Sequence, residues 1–462
     1  MKVVLINPYE LGRQPFGLAE PAAWLKRAGC EVQCLDLSLQ MLEPEVLAGA
    51  DLVAIYVAMH TATRIAVAAL PRIKQLAPDA HLCVYGLYAP MNEAMLREHG
   101  VGTVLGGEVE PALVSLVQRL KNDDAGIQTE PVVSLAKIDF VLPDRSGLPA
   151  LARYAHLITP EGGSKVVGFA EGSRGCKHLC RHCPVVPVYQ GKVRILPVEM
   201  VMADIRQQVA AGAQHISFGD PDFLNGPTHA ERLVRALHAE FPQVTYDATI
   251  KIQHLLTHPE LLPVLKETGC LFITSAIESV DDRILDYLAK NHTNADFGRA
   301  VQLVRAAGIA LAPTFVPFTP WTTLEGYIAL LARLVVLDLV ESVPPIQLAI
   351  RLLVPQGSEL LKLPGFMNYL GAFDPKLLGY PWKHADTRVD ALQKDIQAWV
   401  AEAEAKGITR RDSFVRIWQL AHAAAGLSAP LLPAGGTGAL GARLSEPWYC
   451  CAEPTDQQLQ SF

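Results

Sequence analysis

The sequence lacks any apolar run of about 18 residues or more, and no charged-then-apolar leader stands at its start. Such segments mark membrane spans and secretory signals, so the sequence predicts a cytoplasmic protein with no membrane partner. Charge is also sparse, because 19% of the residues are charged and the formal net charge is −7. Nucleic-acid-binding domains usually carry a basic excess, and nucleic acid is therefore disfavoured as a partner.

An even disulfide framework is missing as well. The chain has nine cysteines in 462 residues, and an odd, clustered set does not fit a small secreted fold. Four cysteines lie among apolar residues and are predicted to be small buried side chains: Cys30, Cys34, Cys83 and Cys270. The other five form two tight groups that need a chemical explanation: Cys176/Cys180/Cys183 and Cys450/Cys451.

The length predicts two or three domains, and the first is expected to be a doubly wound α/β domain. Unbroken apolar segments alternate with amphipathic ones; the predicted strands are "KVVLIN", "EVQCLDL", "DLVAIYVA", "HLCVYG" and "GTVLGG". Such strands, separated by helices, indicate a parallel sheet covered on both faces. Ligands of this fold bind at the carboxyl ends of the strands.

A second series of about six strand–helix units predicts a partial (β/α)6 barrel, whose function also lies at the carboxyl ends of its strands. The last predicted strand is in "IQLAIRLLVP". Helical segments and a flexible Gly/Pro-rich arm follow. The predicted boundaries are 1–125 for the first domain, 126–164 for a linker, 165–390 for the barrel, 391–425 for the helical region and 426–462 for the arm.

The segment "EGSRGCKHLCRHCPV" places Cys176, Cys180 and Cys183 in the spacing C-x3-C-x2-C, after the first predicted barrel strand. Structural zinc needs four ligands, and His178 and His182 could complete such a set. The His178 side chain, inside the three-residue gap, is expected to point away from the shared metal. A four-iron cluster with three thiolates instead has one iron open to an external ligand.

This loop and the "SRGC" that leads into it resemble the radical S-adenosylmethionine (SAM) superfamily. The resemblance implies that Cys176, Cys180 and Cys183 hold a [4Fe–4S] cluster whose open iron chelates the methionine part of SAM. It further implies an enzyme that cleaves SAM reductively and generates a carbon radical that acts on a small-molecule substrate. An external reductant such as flavodoxin or ferredoxin would supply the electron.

Two later segments, "FGDPDFLNG" and "SAIESVDDRIL", follow the second and fourth predicted barrel strands, where the superfamily contacts SAM. The resemblance, together with two basic residues near strand ends, gives a set of candidate SAM-binding residues: Gly219, Asp220, Asp222, Lys251, Ser275, Glu278, Ser279 and Arg351. A capping turn explains the aspartates as well. Exposure at the surface is the alternative for Lys251 and Arg351.

The N-terminal domain resembles the cobalamin-binding-like domain that precedes the barrel in one branch of the superfamily. The segments that carry this likeness are "NPYELGRQPFGLAEPAAWLKRAGCEVQCLDL" and "GGEVEPAL". The ligand motif D-x-H-x-x-G is absent. Gly86, Gly106 and Gly107 would let a large flat ligand approach the backbone, and tight turns explain them equally well. Cobalamin stays open as a third cofactor.

The tail "CCAEP" resembles a group of radical SAM proteins named for this ending. Neighbouring thiols can share one metal or metalloid, or exchange disulfides, so Cys450 and Cys451 are candidate catalytic residues. Three functions follow as hypotheses. The leading one is radical SAM chemistry on a small molecule, with cobalamin-dependent methyl transfer as one form. The others are aminocarboxypropyl transfer to a soft acceptor such as trivalent arsenic, and a non-catalytic iron–sulfur or zinc redox protein.

Overall fold

The computed structural model describes residues 1–122, 126–433, 441–446 and 458–460. Its first layer is a parallel sheet in the order β2-β1-β3-β4-β5-β6. The strands are β1 (Lys2–Asn7), β2 (Glu31–Asp36), β3 (Leu52–Tyr56), β4 (His81–Tyr85), β5 (Thr103–Gly107) and β6 (Val133–Ser134). The helices are α1 (Phe16–Arg27), α2 (Pro44–Leu47), α3 (His60–Leu76), α4 (Glu93–Glu98) and α5 (Glu110–Lys121).

The five strands predicted for this sheet all form. The apolar side chains of β1, β3, β4 and β5 are buried on both faces, whereas the edge strand β2 is buried only at Leu35 and Asp36. Apolar cores lie on either side of the sheet. The strand order reverses at β1, and ligands of open α/β sheets bind beside such a reversal. The predicted doubly wound domain is confirmed.

The second sheet has the order β14-β13-β12-β11-β8-β7-β15, with β8 and β11 to β14 parallel and the other two antiparallel. Its strands are β7 (His156–Ile158), β8 (Ser164–Ala170), β11 (His215–Phe218), β12 (Thr245–Thr249), β13 (Cys270–Glu278), β14 (Ala310–Phe315) and β15 (Arg443–Leu444). A separate antiparallel pair follows β8: β9 (Ser173–Gly175) and β10 (Val193–Ile195).

Helices connect the parallel strands and bury a large apolar core against them. They are α6 (Val185–Tyr189), α7 (Val198–Ala210), α8 (Pro227–Glu240), α9 (Ile252–Thr257), α10 (Leu261–Glu267), α11 (Asp282–Tyr287), α12 (Asn294–Ala306) and α13 (Leu324–Val336). The arrangement is the predicted partial barrel, and the fold class is confirmed.

The sixth predicted barrel strand is reduced to one bridge. Residues Pro345–Leu348 form a 3-10 helix, and a single parallel bridge joins Phe318 to Arg351. The reason lies in Gln347, which is fully buried and accepts a hydrogen bond from the Phe315 backbone N–H through Oε1, at 3.1 Å. The Gln347 side chain thus takes the place of a backbone partner for the Phe315 N–H, at the edge of β14 where a sixth strand would pair.

The segment predicted as a linker, 126–164, supplies β6 to the first sheet and β7 to the second. The helical region forms as α14 (Thr387–Ala405) and α15 (Arg410–Ala424), and α15 buries Phe414 and Ile417 as its apolar spacing predicts. Within the predicted flexible arm, β15 pairs with β7. No helix in the described ranges has the length and apolar character needed to cross a membrane.

Candidate cofactor site and the cavity between the two sheets

The three-cysteine loop begins directly after β9. Gly175 precedes it with φ +74°, and a Cβ there would lie 2.4 Å from the Lys192 carbonyl oxygen, so the turn into the loop requires glycine. Cys176, Cys180 and Cys183 are free thiols, and Cys180 is 7% exposed. The loop therefore brings three unpaired thiols to the carboxyl end of the first parallel strand.

Burial and a nearby buried cation act in opposite directions on the ionisation of these thiols. Burial raises the pKa of Cys176 to about 11, and burial together with the Cys180 thiol raises that of Cys183. Lys290 is buried near them. Although its burial acts in the opposite direction, Glu278 and the thiols of Cys180 and Cys183 raise the pKa of Lys290. Three soft thiol donors beside a buried cation fit a [4Fe–4S] cluster with three protein ligands.

His178 pairs with Asp222, and its orientation relative to a metal shared by the three cysteines stays a prediction. Its Nε2 lies 3.1 Å from Asp222 Oδ2, and the donor atoms of Cys176, His178 and Asp222 lie within 4.8 Å of one another. These three groups could hold one metal ion, which keeps zinc as the chemical alternative. A single ion there would not use Cys180 or Cys183, since neither belongs to the group.

Asp222 is the centre of a buried polar group. It caps the 3-10 helix Phe223–Asn225 through the Leu224 N–H, as the capping alternative predicts, and its Oδ2 also lies 2.7 Å from His254 Nδ1. Although burial opposes ionisation, His178 and His254 lower the pKa of this carboxyl. Lys251 is buried beside it, and its Nζ has no hydrogen-bond partner among the described residues. An orphaned buried ammonium fits an anionic group of a ligand.

Glu278 ends β13 in an unusual backbone conformation. Its φ is +71°, and the register of β13 against β14 shifts between Ala276 and Glu278. Its Oε1 accepts hydrogen bonds from His182 Nε2 at 3.1 Å and Lys290 Nζ at 3.2 Å. Burial acts to raise its pKa, but Lys290 and His182 lower the pKa to about 2. Such strained residues cluster at functional sites.

The other candidates at the strand ends have distinct environments. A Cβ on Gly219 would lie 2.0 Å from the Phe169 ring, so packing alone requires this glycine. Asp220 accepts hydrogen bonds from Ser173 Oγ and the Gly172 N–H, and its burial raises the pKa of the carboxyl to about 7.

Two serines complete the set. Ser275 is fully buried and its Oγ is without a partner in the described part of the chain. Ser279 accepts from the Asp281 N–H in a local turn.

Arg351 lies apart from the cysteine loop. It pairs with Asp390 at 2.7 Å, and its guanidinium stacks on Trp382 at 3.4 Å from the ring centroid. It lines a different cavity, of about 670 Å³. The structure therefore does not bring Arg351 together with the other candidates.

The intersheet cavity, of about 400 Å³, lies between the carboxyl ends of the two parallel sheets. The first sheet contributes residues at or after β3, β4 and β5, and the barrel contributes residues of the cysteine loop and of β13. These include Tyr56, Gly86, Leu87, Tyr88 and Gly107 from the first sheet and His182, Cys183, Asp220, Ala276 and Glu278 from the barrel. A molecule in this cavity would contact both domains and the cysteine loop.

The glycines predicted to admit a flat ligand are explained by the chain itself. Gly86 and Gly107 have φ of +115° and +76°, and a Cβ on either would lie 2.8 Å or less from a backbone oxygen. A Cβ on Gly106 would lie 2.3 Å from Pro90. Turn geometry and packing account for all three.

A buried ionic cluster that was not predicted surrounds Arg174, two residues before Cys176. The Arg174 guanidinium contacts four carboxylates from three segments: Glu20, Glu108, Glu110 and Glu171. A signal was present in Glu20, which stands among the buried apolar residues of α1.

The tail cysteines Cys450 and Cys451 lie outside the described residues. The described residues on either side of them are Glu446 and Gln458, which both line the 670 Å³ cavity. Glu446 accepts a hydrogen bond from the Tyr9 hydroxyl at 2.6 Å. Glu10, which follows Tyr9 in the chain, lines the intersheet cavity.

Comparison with known proteins identifies the barrel segment. Residues 171–326 match the radical SAM superfamily. Hopanoid C-3 methylase of Methylococcus capsulatus is 24% identical over 348 residues, covering 70% of this chain and 65% of that protein. The tRNA-2-methylthio-N(6)-dimethylallyladenosine synthase of Vibrio vulnificus is 22% identical over 246 residues, covering 51% and 48%. The chain thus spans less than two thirds of either relative.

Solved structures share the fold. The radical SAM methyltransferase TsrM from Kitasatospora setae, with cobalamin and a [4Fe–4S] cluster bound, is 18% identical with a TM-score of 0.59 over 73% of this chain and 70% of that chain. The cobalamin-dependent SAM radical enzyme OxsB, with aqua-cobalamin and SAM bound, is 14% identical with a TM-score of 0.65 over 87% and 67%. The predicted radical SAM match is confirmed for residues 171–326, and the predicted fold is shared with these two structures.

Proposed function

We propose, from the premise that residues 171–326 form a radical SAM domain, that the protein cleaves SAM reductively and directs a carbon radical at a small molecule in the intersheet cavity. The three free thiols of the C-x3-C-x2-C loop, at the edge of this cavity, carry the proposal. Cys176, Cys180 and Cys183 would hold a [4Fe–4S] cluster. When bound, the cluster supplies the electron that breaks a carbon–sulfur bond of SAM.

The two parallel sheets divide this work. Residues 1–125 would form the cavity's outer wall, and residues 165–390 would bind the cluster and SAM. The external reductant would approach the face of the loop on which Lys177 and Leu179 are exposed, Leu179 by 55%. A flavodoxin or ferredoxin is the expected donor.

Binding of the SAM carboxylate is assigned in this proposal to Lys251. Its buried Nζ has no partner among the residues the structure describes, and Ser275 Oγ nearby in the barrel is an unused hydroxyl. Asp222 and Glu278 would face the positive groups of SAM. A ligand carboxylate would satisfy a buried cation that otherwise stays desolvated.

Replacing Lys251 with methionine should weaken SAM binding. A hydrogen bond to a charged group contributes about 1.5–3 kcal/mol, which corresponds to a dissociation constant raised by about tenfold to a hundredfold. Equilibrium binding to the anaerobically reconstituted protein measures this. The exposed Lys266 in α10, changed to methionine, is the matched control. Unchanged affinity in the Lys251→Met variant would contradict this role.

The reaction itself is tested by anaerobic reconstitution with iron and sulfide, followed by dithionite and SAM. We expect a brown protein that yields 5′-deoxyadenosine. A site filled by zinc, with no SAM consumed, would overturn the proposal in favour of a non-catalytic metal protein. The same assay reports which carbon–sulfur bond breaks, because methylthioadenosine forms when the aminocarboxypropyl group is transferred.

Cobalamin-dependent methyl transfer is the finer form of the proposal. The fold shared with TsrM and OxsB, together with the carboxyl ends of β3, β4 and β5 at the cavity, supports it. The missing D-x-H-x-x-G motif means that no histidine of that motif would bind the cobalt. Cobalamin in protein purified from cells supplied with it, seen in the visible spectrum, is the expected observation.

The second candidate function is aminocarboxypropyl transfer to a soft acceptor, trivalent arsenic being the example, with Cys450 and Cys451 as its thiol ligands. Cys450 follows Glu446 by four residues, a reach of at most about 14 Å, and Glu446 bonds Tyr9 beside the intersheet cavity. Methylthioadenosine formation that needs arsenite, and that disappears when both cysteines become serine, would favour this function. If the turnover of that double variant is unchanged, the tail cysteines take no part in the reaction.

A further inference from the structure

The acid cluster consists of five carboxyl side chains: Glu10, Glu20, Glu108, Glu110 and Glu171. The last four surround Arg174, with contacts of 3.1 Å for Glu108, 2.9 Å for Glu110 and 3.2 Å for Glu171, and a further one to Glu20. Arg13 and Arg145 also act on Glu10, and Arg194 acts on Glu108, as positive charges. If all five carboxyls were ionised, they would still outnumber these guanidinium groups and Arg174, and would leave negative charge uncompensated in a buried place. Such charges need partners.

Free acceptor atoms mark the cluster as incomplete. Four of its carboxylates are at least nine-tenths buried, with exposures of 7% for Glu10, 1% for Glu20, 0% for Glu108 and 2% for Glu110. Each has one buried oxygen to which no described residue donates a hydrogen bond. Buried polar atoms in folded proteins nearly always have a partner. The N–H groups of a bound ligand would donate hydrogen bonds to these oxygens.

The cluster opens into the intersheet cavity. Glu10, Glu110 and Glu171 line it, and the apolar part of the wall includes Phe16, Tyr56 and Phe169. A site with an aromatic wall and carboxylates at one side suits a molecule with an apolar body and a cationic nitrogen group. The donor atoms of the five carboxylates do not form a metal-binding group among the described residues, where the one such group is Cys176, His178 and Asp222.

We propose that the intersheet cavity binds an organic cation, whose ammonium, amidinium or guanidinium N–H groups donate to Glu10 and Glu110. The substrate of the radical reaction is then a molecule with a positively charged nitrogen group. The assignment of this cation as substrate rests on the proposed function, whereas the binding site itself does not. Without the ligand, burial raises the pKa of Glu10 and Glu20, and the N–H groups of a cation would act against this effect.

Benzamidine and benzamide test this inference, because they share one shape and differ in charge. Binding of each to the anaerobically reconstituted protein is measured by calorimetry. We expect benzamidine to bind about tenfold tighter or more, since hydrogen bonds to charged groups exceed neutral ones by that factor. Glu10→Gln and Glu110→Gln should each reduce this preference. Glu10→Gln leaves the contacts of Arg174 intact, so its effect is not a consequence of breaking that ion pair.

Glu199→Gln is the control, because this side chain is 86% exposed and lies away from the cavity on α7. It should leave the preference for benzamidine unchanged. Equal binding of benzamide would show that neutral N–H donors suffice and would overturn the inference, as would the absence of benzamidine binding. SAM cleavage, measured on the same preparation, separates the two proposals. If SAM is cleaved but benzamidine is not preferred over benzamide, only the inference of a cation site fails. If benzamidine is preferred but SAM is not cleaved, only the proposed radical function fails.

Discussion

Cys180→Ala is expected to abolish both cluster assembly and SAM cleavage. Cys180 is the middle cysteine of the C-x3-C-x2-C loop, and it is 7% exposed. Two thiolates hold a four-iron cluster poorly. Iron content and the brown absorbance should fall close to zero, and 5′-deoxyadenosine formation should fall to the background of the assay.

The matched control is Cys83→Ala. Cys83 is also fully buried, in β4 of the first sheet, within an apolar core and away from the loop. Losing its sulfur should cost about 1 kcal/mol of stability, with iron content and SAM cleavage unchanged. A Cys180→Ala protein that still assembles about four irons, as a [4Fe–4S] cluster requires, would show that the loop is not the cluster site. Zinc retained by Cys176, His178 and Asp222 in that variant would point to the alternative metal centre.

The cysteine loop could be found in the sequence because its three ligands lie within eight residues. The strands β1 to β5, β8 and β11 to β14 were equally visible, since unbroken apolar runs identify buried parallel strands. The short strands β6, β7 and β15, in the predicted linker and arm, were not predicted. "IQLAI" shows the limit of this rule. Its apolar residues are buried as in a strand, but Gln347 within it bonds the edge of β14 through its side chain. Apolar pattern alone cannot separate these two ways of covering an edge.

The acid cluster could not be predicted, because its members come from four places: the segment after β1, α1, the junction of β5 with α5, and the segment after β8. Apart from Glu20, each glutamate alone resembles a helix-start or surface residue, as Glu110 does in the first turn of α5. Tertiary contacts with Arg174 bring them together. For the ion pair of Glu278 with Lys290, the sequence pattern indicated only one of the two residues. Glu278 was singled out, but its partner, 12 residues later, was not.

Glu278→Gln is expected to destabilise the cluster-free protein by about 3 kcal/mol, because it leaves the buried Lys290 ammonium without a charged partner. Lys290 is 3% exposed and lies 3.2 Å from Glu278 Oε1. The carboxylate, with its pKa lowered to about 2, stabilises the fold above the pKa of an unfolded glutamate. This stabilisation is lost as the pH falls towards 2. The urea midpoint at neutral pH should therefore fall in the variant.

A double variant shows whether the cause is the unpaired charge. Glu278→Gln combined with Lys290→Met removes both charges, and replacing a buried ion pair with neutral side chains is often close to neutral for stability. The double variant should therefore be more stable than Glu278→Gln alone, a non-additive result. Additive losses would instead mean that Glu278 is held mainly by His182, at 3.1 Å. That outcome would tie the strained end of β13 directly to the cysteine loop, since His182 stands between Cys180 and Cys183.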